Sequence, residues 1–204
     1  MVSLRTLATT AVAFMAAPAI AALTSGQIVD AIKSLTMKSR ALQQPANSIS
    51  IINGPLIIIG QGPFPQLISG FTDIVTTTTT AIAQLQGTPK ITATTATMEI
   101  ADAFRDFVRV HQQLLNILIG KSGLFTIVPF IGQPIAAVLR SVEAVVDQIA
   151  FGLVDVVEGA AVGALASDRA ALKLTLDTTI EKYEGLSIGP VKKRDGLEAK
   201  VFVA

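Results

Sequence analysis

The chain has 204 residues, 50% of them hydrophobic, 15% charged and 5% aromatic, with no Cys, no Trp and one His. An average globular domain carries about 25% charged residues, so this surface is poor in charge, and the length suits one domain that buries a core without disulfides or metal. No Cys and a single His exclude disulfides, thiol chemistry and zinc sites of the usual kind. The 16 basic and 15 acidic residues nearly cancel, which gives no electrostatic case for nucleic acid or acidic lipid.

Residues 1–21 carry one basic residue, Arg5, then an apolar run over 7–17, Pro18 and the small-residue site Ala19-Ile20-Ala21. That is the layout of a cleaved secretory signal, and it predicts a secreted, extracellular or cell-wall protein. Its removal takes away Arg5 and leaves as many basic as acidic residues. Nothing at 201–204 resembles the tail of a lipid-anchor signal.

From residue 25 to 185 the spacing predicts an all-α domain, an up-and-down bundle of about five amphipathic helices. The first starts at Ser25, as N-cap, and carries Ile28, Ile32, Leu35 and Leu42 at helical spacing; Pro45 kinks or ends it. An apolar piece over 46–59 is interrupted by Gly54-Pro55, and residues 60–65 form a Gly/Pro linker. The second helix, about 65–86, has Leu67, Phe71, Ile74, Thr78, Ile82 and Leu85 on one stripe. Thr76 to Thr80 favour strand when taken alone, but the flanking 3.6-residue period predicts helix. No charged residue stands between Ala41 and Thr72, which marks core, interface or ligand wall.

The third helix, about 93–119, puts Ala101, Phe104, Val108, His111, Leu115 and Leu118 on one face, with Asp102, Asp106 and Arg109 opposite. Residues 116–139 follow with a single charge, Lys121. The run is long enough to cross a membrane, but Gly120, Gly123, Pro129, Gly132 and Pro134 break it, and lipid cannot satisfy freed backbone groups. It reads as two helices meeting at an apolar bend that bears Phe125 and Phe130. So apolar a corner is buried, forms a homodimer, or holds something oily. Helix four spans about 133–157, Gly159 to Gly163 loosen the chain, and Ser167 caps helix five, which points Leu172, Leu176, Ile180 and Tyr183 inward. Residues 186–204 read as a disordered tail; its Lys193-Arg194 is either a processing site or a solvated basic pair.

Catalytic constellations are thin. His111 lies on an apolar stripe and lacks the Glu-x-x-His partner of a di-iron bundle. The carboxylate pairs Asp102/Asp106 and Glu143/Asp147 each have an Arg nearby and read as solvated helix faces. No G-x-S-x-G elbow exists, and Gly60-Gln61-Gly62 lacks the third glycine of a dinucleotide site. The chain therefore reads as no enzyme, with no cofactor and no metal. His111 itself is read as a core-edge residue bonded to a neighbouring helix, or as a polar handle for a carboxylate head group.

The run from His111, HQQLLNILIGKSGLFTIVPFIGQPIAAVLRSVEAVVDQIA, resembles the fungal hydrophobic surface binding protein A family, also called antigenic cell wall galactomannoproteins. So does the upstream LTMKSRALQQPANSISIINGPLIIIGQGPFPQLISGFTDIV, with its L-x-x-P-A-N element at Leu42 to Asn47. The resemblance spans about 28–185 and rests on apolar pattern and length. It implies small, secreted, all-helical proteins of the fungal wall or medium that adsorb to hydrophobic surfaces and help a polyester- or cutin-degrading hydrolase reach them. Some related galactomannoproteins enclose fatty acids between helices. No catalytic residue is implied. No N-x-S/T sequon is present, so glycans would fall on Ser or Thr, with Thr76–Thr80 and Thr92–Thr97 as candidates.

Two readings share this physics. In the first, the bundle carries a lipid or fatty acid in an apolar cavity walled by Ile57, Phe64, Leu67, Phe71, Phe104, Phe107, Leu114, Leu118, Phe125 and Phe130, with His111 as polar handle. Any one of these packs equally well into an ordinary core. As a set they flank Pro/Gly bends at 54–65 and 123–134 that allow a cavity to open. In the second, the bundle opens at the same bends and lays its apolar faces on a hydrophobic surface, with a secreted hydrolase as partner. A structural wall protein that binds neither is the third option.

Overall fold

A computed structural model describes residues 22–53, 56, 59–124 and 132–184. The predicted leader, the predicted tail with Gly185, Gly54-Pro55, Ile57-Ile58 and the predicted bend at 125–131 lie outside the described residues. Helix α1, Ser25–Ser48, starts one residue earlier than the Ser25 cap predicts. Thr24 is the N-cap: its hydroxyl accepts from Gln27 N at 3.3 Å, and Gln27 Oε1 accepts from Thr24 N at 2.9 Å, a reciprocal capping box. Pro45 does not end the helix. It falls in the last turn, where one missing donor is a small loss, and Pro45 and Ala46 are both buried.

Helix α2, Pro63–Leu85, begins two residues before the predicted Pro65, because a proline at the first helical position gives up a donor that has no intrahelical partner. Gly62 leads into it at φ 84°, where a Cβ would stand 3.2 Å from Asn53 O, so this turn requires glycine. The threonine run is helical. The hydroxyls of Thr76, Thr78, Thr79 and Thr80 each donate to the carbonyl four residues back, at 2.7–3.1 Å. Only Thr78 of these is buried, so the apolar stripe continues through it.

Helices α3, Thr94–Ser122, and α4, Gly132–Val156, match the predicted spans closely. Helix α5, Ala160–Glu184, starts seven residues before the predicted Ser167. Gly159, at φ 73°, is enough to break the chain, and Ala161 and Leu165 are fully buried, so burial recruits the segment despite Gly163. An isolated bridge, Ile91 to Val157, with Ile91 N donating to Val156 O at 2.7 Å, ties the α2–α3 loop to the end of α4. There is no strand among the described residues.

The helices alternate in direction along the chain. In space they close a ring in the order α2, α1, α3, α5, α4, and α4 returns to α2. Ion pairs stitch the outside of the ring. Lys38 meets Asp73 between α1 and α2, and Arg105 reaches Asp168 at 3.3 Å between α3 and α5. Arg169 meets Asp147 at 2.9 Å and Lys173 meets Glu143, both between α5 and α4. The predicted carboxylate pairs are thus surface ion pairs. Arg105 holds Asp102 at 2.9 Å and Arg109 faces Asp106 at 3.8 Å. No described helix is long and apolar enough to cross a membrane.

Candidate functional site

The inside of the ring is one contiguous apolar core to which all five helices contribute. Helix α3 supplies its axis. Phe104, Phe107, His111, Leu114 and Leu118 recur every three or four residues, and each is at most 1% exposed. Helix α2 faces them with Phe64, Leu67 and Phe71, all fully buried. The structure therefore brings together the eight predicted wall residues that fall within the described range. Ile57, Phe125 and Phe130 lie outside it. Phe104 and Phe107 pack with ring centroids 6.0 Å apart, and each buried side chain of this size contributes roughly 1.5–3 kcal/mol.

Among the described residues, the predicted wall is made of side chains buried within this core. A void of about 10 Å³ lies among α1, α2 and α4, lined by residues such as Ile28, Ile32, Leu85 and Leu153. It is apolar and has room for about one water-sized probe. Leu85 also lines a surface groove of about 480 Å³ between the ends of α2 and α4, where Phe151 is 54% exposed under the Arg169 guanidinium.

One polar pair interrupts the core. Ser39 of α1 and His111 of α3 are both fully buried, and Ser39 Oγ stands 2.9 Å from His111 Nδ1. The Phe107 ring lies 5.3 Å from the imidazole and the Phe71 ring 6.1 Å away, edge-on. Burial pushes the imidazole down to about 4, so it is neutral at pH 7. His111 Nε2 is buried without a hydrogen-bond partner. An orphan of this kind costs about 1–3 kcal/mol. The expected bond to a neighbouring helix is present; its acceptor or donor, Ser39, was not anticipated. The signal was there, since Ser39 sits four residues after Leu35 and three before Leu42 on an apolar stripe. Near the far end of α3, the buried Tyr183 hydroxyl donates to Leu118 O at 3.0 Å.

A second feature stands at the end of the ring that carries the α1–α2 loop. Ile51, Ile52, Leu56 and Ile59 are 55%, 89%, 36% and 65% exposed. Asn53 ties the start of this loop together. Asn53 Oδ1 accepts from Ser50 N at 2.8 Å and Asn53 Nδ2 donates to Ser48 O at 2.6 Å. Lys121 Nζ donates to Ile49 O at 2.9 Å and pins the loop to the end of α3. No group of three or more acidic or His side chains placed to hold a metal occurs among the described residues.

No family model matches the chain, and no curated protein matches it in sequence. Solved structures do match in fold. AfMP4p in complex with palmitic acid aligns with a TM-score of 0.69 at 12% identity, over 78% of this chain and 99% of that one. Ligand-binding domain 2 of the Penicillium marneffei MP1 protein, complexed with multiple arachidonic acids, aligns with a TM-score of 0.65 at 12% identity, over 76% and 93% of the two chains. Domain 1 of the same protein, complexed with arachidonic acids, gives 0.60 at 14% identity, over 76% and 98%. The likeness is one of fold.

Proposed function

We propose that this chain is a non-catalytic lipid carrier that encloses a fatty-acid-like chain inside its ring of helices. The observation that carries the reading is the closed five-helix ring around a continuous apolar interior. Its fold is shared with structures solved around palmitic and arachidonic acids. Helices of 23–29 residues run about 35–44 Å at 1.5 Å per residue, room for a long acyl chain lying along the axis. Each enclosed methylene contributes roughly 0.8 kcal/mol, so a dozen of them give about 10 kcal/mol to set against the cost of association. The leader-like residues 1–21 support a location outside the cell or in its wall, as does the resemblance to the hydrophobic surface binding protein A family. Displacement of a fluorescent fatty acid by palmitic acid should saturate near one site, or a small whole number of sites, per chain. Titration without saturation removes the proposal.

A second reading is favoured by the exposed Ile51, Ile52, Leu56 and Ile59. Apolar side chains that already stand in water gain by entering a hydrophobic phase. In this reading the protein coats waxy or polyester surfaces, where a secreted hydrolase would meet it. Adsorption to hydrophobic beads that survives molar salt supports it. Release in moderate salt marks mere charge contact, because salt screens exposed ion pairs.

A further inference from the structure

Buried hydroxyls elsewhere in the described core donate to backbone carbonyls, of their own helix or of a neighbour in the ring. Thr36 donates to Ile32 O, Thr78 to Ile74 O, and Tyr183 to Leu118 O. The Ser39–His111 pair differs. It spans α1 and α3, lies near the middle of both helices, and leaves Nε2 unpartnered among aromatic rings.

The pair has two states. If the Ser39 hydroxyl donates to Nδ1, the ring proton sits on Nε2 and needs an acceptor. If Nδ1–H donates to Ser39 Oγ, Nε2 is bare and needs a donor. Either way the vacant bond faces apolar surroundings, and either way it is satisfied by a group that both donates and accepts. A charged group fits poorly, because the imidazole is neutral and no charged side chain joins the pair; Lys38 and Asp73, on neighbouring turns, meet each other at the surface.

Resting on the carrier reading, we propose that the Ser39–His111 pair is the seat of the ligand's polar head, and that it selects single-chain amphiphiles with an uncharged head carrying both a donor and an acceptor: a hydroxyl, as in a long-chain alcohol, or an undissociated carboxyl. The apolar chain then lies against Phe71, Phe107 and Leu114, and the head completes the hydrogen bond that His111 Nε2 lacks.

The test compares hexadecanol with hexadecane on the full chain, and its metric is the ratio of their affinities, which cancels the contribution of the shared hydrocarbon. In His111→Phe that ratio should fall about tenfold from the wild-type value, the equivalent of one lost hydrogen bond. His111→Gln, whose amide keeps a donor and an acceptor, should retain most of it. Independently of any variant, His111 is the sole histidine, so ¹⁵N-histidine labelling gives a one-residue spectrum. Its Nε2 resonance should move on saturation with hexadecanol and stay in place with hexadecane. Both ligands binding with an unchanged ratio and an unmoved Nε2 overturns the head-group assignment while leaving the carrier intact. Saturable binding of neither ligand, nor of palmitic acid, overturns both.

Discussion

At position 111 the apolar stripe prevails over the preference of histidine for water, and the consequence is a pH dependence with a definite sign. The folded imidazole titrates at about 4 because it is desolvated, whereas the unfolded one keeps its ordinary 6.5. Between those values the unfolded chain binds the proton more readily, so stability rises with pH. The contribution of His111 is complete above 6.5, is lost as pH falls from 6.5 towards 4, and levels off below. Its full size is about 3 kcal/mol. Urea unfolding at pH 7 and at pH 4.5 should show the loss, and His111→Phe should flatten the part of the slope due to this residue. Tyr183→Phe removes the bond to Leu118 O and should lower unfolding free energy by about 1 kcal/mol. Sequence periodicity put His111 on the inner face and left open what it would bond. Ser39, 72 positions away, is named by no pattern, since only packing α1 against α3 brings the two together.

Among the elements, the helices follow from period and the ends from local chemistry. The threonine run shows how the two compete. Strand propensity would win in isolation, but Ile74, Thr78 and Ala81 face the core at helical spacing and the hydroxyls bond back to their own helix. The start of α5 was misplaced for the complementary reason. Ser167 is a good cap by type, yet burying Ala161 and Leu165 gains more than the cap would. The α1–α2 loop behaves oppositely to the core. Ile52→Ser together with Ile59→Ser should leave unfolding free energy within about 0.5 kcal/mol, since both side chains are already in water. The same double variant should reduce salt-resistant adsorption to hydrophobic beads; unchanged adsorption would sink the role given to this loop. Leu67→Ala, by contrast, empties a fully buried site and should cost about 2–5 kcal/mol in a denaturant melt.

For the whole molecule the decisive property is closure. Five helices, each with an apolar face, bury those faces against two neighbours apiece and leave the ring's axis to Phe64, Phe71, Phe104 and Phe107. A ligand that replaces contacts between these rings binds the folded state alone. Palmitic acid at a hundredfold excess over its dissociation constant should therefore raise unfolding free energy by about 2.7 kcal/mol. A thermal melt that does not move under saturating palmitic acid would contradict enclosure. The ion pairs contribute little individually, each partner being at least partly open to water.

The amino-acid order by itself determined an all-helical chain, the inward face of each helix and the apolar character of both bends, because those are matters of local period and of Pro and Gly stereochemistry. Tertiary structure alone decided the ring order, the pairing of Ser39 with His111 and which apolar residues stay in water. These depend on contacts between residues far apart in the chain, and a helical stripe says that a face is buried without saying against what.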